Sequence, residues 1–338
     1  MRAMAIQDAY GLENIKPLER PVPEPGPGQV ALKMKAASLN FRDFLITQNL
    51  YGGNFPLPLV PLSDGCGEVV AIGEGVRRVA VGDRVAPLFF QTWYSGEPTL
   101  EKLMFAMGGP VDGCAQQYMV LSEEGVVKVP AHLSDAQVAC LPCAGLTAWR
   151  SLVVEGNVKA GDAVLLQGTG GVSICALQIA KAMGLETIIT SSSDEKLEHA
   201  KRLGADHVIN YRAEPEWSKA VRRATGGRGV DHVVEVGGAK TLKEAMKSIR
   251  IGGHISIIGV LSGPQEAIQF GAMIATNCTL RGFSVGSRDH FEDMVRAFDL
   301  HKITPVVDTR RFGLEDLPEA LHYMGSGGHF GKICVEIA

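Results

Sequence analysis

Long apolar runs are missing from this 338-residue chain, and no run is long enough to cross a bilayer. The first residues, MRAMAIQDAYGLENIK, contain one arginine but lack the apolar segment of a secretory signal. The seven cysteines are scattered and do not have the spacing of a disulfide framework. These absences lead us to expect a cytoplasmic protein that keeps its thiols reduced and makes no use of a membrane.

Charge is sparse and nearly balanced. Charged residues make up 21% of the chain and the formal net charge is -4, which argues against a protein whose main task is to bind nucleic acid. The cations of KAVRRATGGRG, residues 219–229, are predicted to lie on a solvated helix face. The nine histidines have no H-E-x-x-H or other metal-ligand spacing. His232 and His254 lie in apolar strand sequences, where we expect structural hydrogen bonds.

The pattern of apolar segments changes once along the chain. The length alone also favours two domains. In the first part of the chain, short β-branched segments are separated by glycine and proline turns, which predicts a small, mostly antiparallel sheet. Residues 91–113 form a predicted surface loop, with or without a short helix. From about residue 145, apolar strands alternate with helical segments, the pattern of βαβ units and a parallel sheet.

The glycine cluster QGTGGVS, residues 167–173, follows a predicted strand and opens a predicted helix. This is the context of the dinucleotide fingerprint G-x-G-x-x-G, in which the first glycine allows a tight turn and the second admits the pyrophosphate at a helix N-terminus. The third glycine serves helix–strand packing, and Ser173 in its place is expected to loosen that packing without abolishing binding. A glycine-rich turn without a ligand is the alternative. The predicted cofactor residues of the turn are Gly168, Thr169, Gly170, Gly171 and Val172.

The second predicted strand lacks the acid with which NAD sites hold the ribose 2′-OH, and Ser191 stands at its end. Hydroxyl and ammonium groups can donate to a 2′-phosphate, so Ser191, Ser192 and Lys196 favour NADP(H). Two other interpretations are open. Ser192 and Glu195 also fit a helix capping box, and Asp194 could reach a ribose. Because open α/β sheets bind ligands at strand carboxyl ends, Gly237, Gly259 and Val260 are expected near the ribose and nicotinamide.

Several longer motifs run through essentially the whole chain: SLNFRD (38–43), LSDGCGEVVAIGEGV (62–76), VGDRV (81–85), CLPCAGLTAW (140–149), GDAVLLQGTGGVS (161–173), AKRLGADHVINY (200–211) and GHFGKICVEI (328–337). In these motifs the chain resembles the medium-chain dehydrogenase/reductase superfamily, and within it the zinc-free quinone oxidoreductase relatives of the zinc-type alcohol dehydrogenases. The resemblance implies an α/β fold with a GroES-like, mostly antiparallel β domain and a Rossmann domain with a doubly wound parallel sheet. It assigns 1–143 and 289–338 to the first domain and 144–288 to the second, NADP-binding one.

Zinc ligands are the feature in which the chain departs from the zinc-type members. Those members carry a cysteine, a histidine–glutamate pair and a second cysteine, and here the matching positions hold Asn40, Ser63 with Asp64, and Cys143. One thiolate cannot form the tetrahedral site that zinc requires. The stretch 91–113, where the family's structural zinc loop is expected, contains no cysteine. We therefore predict that no metal is bound.

The resemblance and the missing ligands together predict a zinc-independent, NADPH-dependent oxidoreductase. Its substrate would be a small electrophile, a quinone or an α,β-unsaturated carbonyl, which absorbs the charge of the incoming hydride with the help of one or two hydrogen-bond donors. Two alternatives stay open: an NADP-dependent alcohol or aldehyde dehydrogenase of the same superfamily, and a non-catalytic member that binds NADPH or nucleic acid. A homodimer paired through TLRGFSV, residues 279–285, is expected from dimeric relatives.

Four residues are candidates for the reaction itself. The resemblance places Asn40 as a donor near the nicotinamide or the substrate oxygen, and Asp43 follows in the same loop, more as an orienting group than as a proton carrier. Tyr51 is either a hydroxyl donor or a packed surface aromatic, and Ser63 either lines the pocket or belongs to a turn. Trp93, Tyr94 and Met104 either shape the acceptor pocket or pack their loop. Further cofactor contacts that the resemblance implies are Thr147, Tyr211, Phe283, Val285 and Lys332, with a solvated lysine as the alternative for Lys332.

Overall fold

The chain divides into two compact units in its computed structural model, which describes residues 1–263, 265, 268 and 270–338. The first unit comprises Met1–Leu146 and Val285–Ala338, and the second comprises Thr147–Ser284. The domain boundaries expected from the sequence resemblance lie at 143/144 and 288/289. Among the described helices, none combines the length and the apolar character that a membrane span requires.

The strands of the described residues are β1 (Arg2–Ile6), β2 (Ile15–Glu19), β3 (Gln29–Ser38), β4 (Asp64–Ile72), β5 (Arg84–Pro87), β6 (Tyr118–Ser122), β7 (Val126–Lys128), β8 (Ala163–Gln167), β9 (Glu186–Ser191), β10 (His207–Asn210), β11 (Val230–Glu235), β12 (Ile249–Ile257), β13 (Thr279–Gly282), β14 (Phe312–Gly313) and β15 (Cys334–Glu336). The α-helices are α1 (Phe41–Thr47), α2 (Leu100–Leu103), α3 (Asp135–Ala139), α4 (Leu146–Trp149), α5 (Gly171–Ala182), α6 (Asp194–Arg202), α7 (Trp217–Ala224), α8 (Leu242–Ser248), α9 (Phe270–Thr276), α10 (Arg288–His301) and α11 (Leu317–Ser326). Short 3-10 turns cover Leu12–Asn14, Glu123–Gly125 and Leu314–Asp316, and π-helical turns cover Leu141–Gly145 and Arg150–Glu155.

The first unit is built on a seven-stranded sheet in the order β14-β15-β3-β4-β5-β7, with β6 also paired to β3. All pairings in this sheet are antiparallel except β14 with β15. The ten-residue strand β3, QVALKMKAAS, pairs with three others because it is long enough for β6, at residues 29–33, and β15, at residues 36–38, to share one edge while β4 pairs along the other. The mostly antiparallel GroES-like architecture is thus confirmed.

The second unit contains a six-stranded, entirely parallel sheet in the order β10-β9-β8-β11-β12-β13. Strand β8 is buried at every position, as expected for a central parallel strand covered on both faces. The chain runs outward from β8 to β10 and then returns to β11 on the other side of β8. The carboxyl ends of β8 and β11 therefore flank the point at which doubly wound sheets bind their ligands, and the predicted Rossmann class is confirmed.

A histidine pair stabilises the centre of this sheet. His232 of β11 and His254 of β12 are in register, and their rings stack with centroids 5.0 Å apart. The Nε2 atom of His232 lies 3.0 Å from the Ser151 hydroxyl and 3.2 Å from the Ser256 hydroxyl. Burial lowers the pKa of His232 to about 3, so its ring is neutral at physiological pH. These contacts give the pair a structural role.

Candidate functional site

The glycine turn of the second unit connects β8 to α5 in the predicted way. Gly168 has a positive φ of 73°, which a residue with a Cβ adopts only with strain, and Gly170 is the N-cap of α5. Ser173 is 1% exposed, and its hydroxyl donates a 2.6 Å hydrogen bond to the Gln167 carbonyl at the end of β8. The expected loosening is therefore not seen, because the serine links helix and strand directly.

A buried carboxylate connects this turn to the loop after β11. Glu235, the last residue of β11, accepts hydrogen bonds from the Gln167 amide at 2.6 Å and from the Thr241 hydroxyl at 2.6 Å. It also accepts the backbone N–H groups of Gly237 and Gly238 at 2.8 and 2.9 Å. Burial raises the pKa of Glu235, against the effect of these donors. Gly237 is among the residues predicted from the sequence, whereas Glu235 is not, although an acid at the end of an apolar strand is a recognisable signal.

The predicted 2′-phosphate end lies where β9 and β10 finish. Ser191 ends β9 and is buried, and its carbonyl accepts the backbone N–H of Tyr211, whose side chain is 41% exposed. The N-cap of α6 is Ser193, whose hydroxyl accepts from the backbone N–H of Lys196 at 3.4 Å. The capping-box interpretation of Ser192 is therefore wrong by one residue, and Ser192 precedes the cap.

Asp194, the alternative ribose ligand, makes a local contact at the start of α6. Its Oδ1 atom accepts a 2.7 Å hydrogen bond from the Asn210 side chain at the end of β10, and it lies in the first turn of α6. A carboxylate with a side-chain partner and a helix N-terminus beside it is already stabilised. The β9 end is thus left with hydroxyl-bearing residues.

The ends of the next strands carry the other predicted cofactor residues. Gly259 donates its backbone N–H to the Glu235 carbonyl, and Val260 beyond it is 44% exposed. The Arg150 guanidinium lies over the Phe283 ring, with 4.7 Å between Cζ of the arginine and the ring centroid. Thr147 is buried in the second unit. Val285, at the start of the second segment of the first unit, has a φ of 44°, an unusual conformation for a β-branched residue.

In the first unit, four polar side chains from distant parts of the chain meet; we call Asn40, Ser63, Asp64 and Lys332 the Lys332 cluster. The Lys332 ammonium donates to Asn40 Oδ1 at 2.6 Å and to the Leu39 carbonyl at 2.5 Å, and lies 3.5 Å from Asp64 Oδ2. Asn40 Nδ2 donates to the Ser63 hydroxyl at 3.2 Å. Lys332, Ser63 and Asp64 are buried, whereas Asn40 is half-buried.

The charges of the cluster are balanced internally. Burial raises the pKa of Asp64, while the Lys332 ammonium acts in the opposite direction. Burial also lowers the pKa of Lys332, but the Asp64 carboxylate together with Cys140, Cys143 and Cys334 acts in the opposite direction, and the net change is upward. The ammonium is therefore charged at neutral pH. The predicted contact of Lys332 with the cofactor remains a prediction, since its described partners all belong to the first unit.

Asp43 orients the loop that carries Asn40. Its Oδ2 atom accepts the backbone N–H of Asn40 at 2.8 Å, and burial raises the pKa of this carboxyl to about 6. The neighbouring Arg42 guanidinium lies 3.5 Å from Asp43 and donates to the carbonyls of Met107 and Gly109 at 2.8 and 3.1 Å. These bonds connect α1 to the stretch 91–113, whose conformation is thereby coupled to the Asn40 loop.

The three candidate pocket residues Tyr51, Trp93 and Met104 differ in their exposure and contacts. Tyr51 is 42% exposed, and the Arg42 guanidinium lies over its ring at 5.0 Å. Trp93 is 1% exposed and donates its indole N–H to the Gly96 carbonyl at 2.8 Å, so it packs the loop that contains the short helix α2. Met104 is 51% exposed. A role for these side chains in holding an acceptor stays a prediction.

The residues at the family's zinc positions do not fit a zinc ion. Asn40 and Ser63 are neutral, and Asp64 already faces an ammonium. Burial raises the pKa of the Cys143 thiol, which disfavours the thiolate that a metal requires. In the part of the chain that the structure describes, no three His, Cys, Asp or Glu side chains come close enough to hold a metal.

Two family models match the chain. Residues 26–131 match the alcohol dehydrogenase GroES-like domain, and residues 171–299 match the model described as zinc-binding dehydrogenase. A zinc-type alcohol dehydrogenase-like protein of Schizosaccharomyces pombe is 43% identical over an alignment of 344 residues, which covers 100% of this chain and 99% of the relative. The likeness therefore extends over both units.

Solved structures are also similar to this chain along its whole length. An NAD-dependent alcohol dehydrogenase is 34% identical and superimposes with a TM-score of 0.91 over 100% of both chains. A mycobacterial quinone oxidoreductase is 26% identical, with a TM-score of 0.82 over 99% of both chains. Because the two structures are named for different substrates, overall likeness does not select the acceptor.

Proposed function

Because the chain belongs to the medium-chain dehydrogenase/reductase superfamily and is an oxidoreductase, we propose that it reduces quinones or α,β-unsaturated carbonyl compounds with NADPH and without zinc. The observation that carries the proposal is the Lys332 cluster, in which the Asn40 amide and the Ser63 hydroxyl stand at family metal-ligand positions and the Lys332 ammonium binds the amide. Such a cluster offers hydrogen bonds and a fixed charge, but no Lewis acid.

The acceptor class follows from this chemistry. An isolated carbonyl concentrates the incoming charge on one alkoxide oxygen, for which zinc enzymes use their metal. A quinone or enone spreads the same charge over a conjugated system, so a few well-placed donors suffice. In this proposal the half-buried Asn40 is the donor to the acceptor oxygen, Ser63 supports its amide, and Asp43 holds the loop.

NADP(H) would supply the hydride, and its proposed contacts, apart from Val285, lie in the second unit. The preference for the phosphorylated form rests on the end of β9, where Ser191 stands instead of an acid and Asp194 is bound to Asn210. The similar NAD-dependent alcohol dehydrogenase makes NAD the competing cofactor. The residues proposed to contact the dinucleotide are Gly168, Thr169, Gly170, Gly171, Val172, Ser191, Ser192, Lys196, Tyr211, Gly237, Gly259, Val260, Thr147, Phe283 and Val285.

We also propose a homodimer and a reducing, cytoplasmic location. Strand β13 is an edge strand of the parallel sheet, and the neighbouring helix α9 exposes Phe270 and Ile274, which are 75% and 76% accessible. An unpaired edge beside apolar side chains is a typical surface for pairing with a second copy. All seven cysteines are free thiols, which suits a reducing compartment.

A substrate screen tests the function. The purified protein is assayed with quinones, enals, enoyl thioesters, aldehydes and alcohols, each with NADPH and NADH, and its metal content is measured in parallel. We expect the highest kcat/KM for a quinone or an enone with NADPH and no loss of activity on chelation. Faster turnover of a simple alcohol, or a stoichiometric transition metal whose removal abolishes activity, would refute the proposal. The zinc-type name of the S. pombe relative makes the metal measurement essential.

A further inference from the structure

The Lys332 ammonium is fully enclosed, with a side chain that is 4% exposed. A lysine ammonium has three N–H donors, and three oxygen atoms surround this one: the Leu39 carbonyl, Asn40 Oδ1 and Asp64 Oδ2. Leu39 and Asn40 immediately precede α1, so two of the three contacts are to the loop proposed to hold the acceptor.

The distances separate two roles that a buried lysine can have. A counter-ion that only neutralises Asp64 is expected to make its shortest contact with that carboxylate. Here the carboxylate is 3.5 Å away, whereas the contacts with the Leu39 carbonyl and the Asn40 amide oxygen are 2.5 and 2.6 Å. Asp64 offsets the cost of burying the charge, and the short hydrogen bonds are made to the Asn40 loop.

An ammonium on an amide oxygen changes what the amide nitrogen can do. It fixes the orientation of the side chain, with Oδ1 toward Lys332 and Nδ2 toward Ser63. It also draws electron density toward Oδ1, which makes the Nδ2 protons stronger donors, since linked hydrogen bonds polarise one another. The amide thereby gains part of the electrophilic character that a metal would otherwise supply.

We infer that Lys332 is a positioning residue that acts through Asn40, with its fixed ammonium orienting and polarising the amide that stabilises the reduced acceptor. This inference rests on the proposed function and goes beyond it by naming the cation that replaces the metal. Lys332 transfers no proton and touches no substrate; it determines how well Asn40 donates.

The variants are chosen to separate folding from function. Lys332→Met alone leaves Asp64 as an uncompensated buried charge, so it is expected to lower the melting temperature. Lys332→Met/Asp64→Asn removes both charges together and keeps the side-chain sizes, and its melting temperature should return close to that of the natural protein. Lys332→Arg retains the cation. The matched control is Lys16→Met/Asp8→Asn, a lysine–aspartate pair of the first unit with side chains 49% and 78% exposed.

Two readouts follow the amide and the reaction. In 1H–15N spectra, the side-chain amide of Asn40, identified by its loss in Asn40→Ala, should shift upfield in Lys332→Met/Asp64→Asn and stay unchanged in the control. With the acceptor found in the screen, kcat of the double variant should fall about 10- to 100-fold, as for other groups that act through a reacting residue. The Kd for NADPH should not change, and Lys332→Arg should recover part of kcat.

Each other outcome counts against the inference in a distinct way. A folded double variant with an unchanged Asn40 amide and unchanged kcat would show that Lys332 only neutralises Asp64. A rise in the Kd for NADPH at constant kcat would make Lys332 a cofactor ligand instead. If the natural protein reduces no acceptor, the proposed function fails, and the Asn40 amide shift still decides whether Lys332 polarises that side chain.

Discussion

The roles of two single residues, Ser173 and Asp43, depend on their surroundings and not on the motifs that contain them. Ser173 stands where the fingerprint has glycine, yet it is buried and donates to the Gln167 carbonyl. Asp43 reads as an ordinary helix-start acid, yet burial raises its pKa to about 6 because the whole carboxyl is enclosed. In both cases the function of the residue comes from what surrounds it, and each can be tested by one substitution.

Ser173→Ala removes the hydrogen bond between α5 and β8 with little change in volume. We expect the free energy of unfolding to fall by about 1 kcal/mol, the usual net contribution of such a bond, and the Kd for NADPH to rise. Chemical denaturation and fluorescence titration measure the two. Ser326→Ala, whose hydroxyl bonds within an exposed helix end, is the control and should leave both values unchanged. Equal effects of the two substitutions would contradict the linking role of Ser173.

Asp43→Asn tests the raised pKa through the pH dependence of stability. Because the folded pKa, about 6, exceeds the reference value of 3.8, the folded state binds the proton more tightly. The contribution of Asp43 to stability is therefore fully present below the reference value and is lost as the pH rises through the folded one. Unfolding measured by denaturant from pH 4 to 7 should show a smaller decline for Asp43→Asn than for the natural protein. Parallel curves for the two proteins would show that this carboxyl titrates normally.

At the scale of elements, the carboxyl ends of the parallel strands carry residues proposed to bind the cofactor. Glu235 at the end of β11 is bonded to Gln167 at the end of β8, and it also accepts the N–H groups of the following glycine loop. One carboxylate thus fixes the spacing of two strand ends and the shape of a loop. This is a stronger constraint than the glycines alone provide.

Glu235→Gln replaces an acceptor oxygen with an NH₂ group that faces donors. We expect a loss of about 2 kcal/mol in the free energy of unfolding, since a buried hydrogen bond to a charged group is broken and a donor is left unpaired. The Kd for NADPH should rise with it. Glu198→Gln, in an exposed ion pair on α6, is the control for charge removal in the same unit. Unchanged cofactor binding in a stably folded Glu235→Gln protein would dissociate this carboxylate from the cofactor site.

The extent to which the sequence predicted the structure depends on how local each feature is. The turn from Gly168 to Ser173 and the alternation of strands and helices were predictable, because neighbouring residues determine them. The N-cap of α6 is Ser193, whereas the sequence pattern also fitted Ser192, because three serines in a row offer equivalent hydroxyls. The Lys332–Asn40 contact was not predictable from pattern, since the two residues are 292 positions apart. Only the folded sheet of the first unit brings them together.

At the scale of the whole molecule, the proposed homodimer assigns a role in association to the edge strand β13 of the parallel sheet. Phe270→Glu/Ile274→Glu places two charges on the exposed face of α9, the helix that precedes β13 in the chain. We expect the natural protein to be dimeric by light scattering and the variant to be monomeric at the same concentration, because charges oppose edge pairing. Leu300→Glu, on an exposed position of α10, is the control. A monomeric natural protein at all concentrations would remove the homodimer proposal.

The segmented first unit also has a consequence for biosynthesis. Its sheet contains β3 from the early part of the chain beside β15, and between them in sequence lies the entire second unit. The ribosome therefore synthesises β3 long before β15, which pairs with part of its edge, and long before Lys332, which donates to the Asn40 side chain. Strands β4 and β6 can pair with β3 early, but until residue 336 has emerged the Ala36–Ser38 edge of β3 lacks β15. We therefore expect a chain truncated before Cys334 to leave the Ala36–Ser38 edge of β3 uncovered and to aggregate more readily than the full chain.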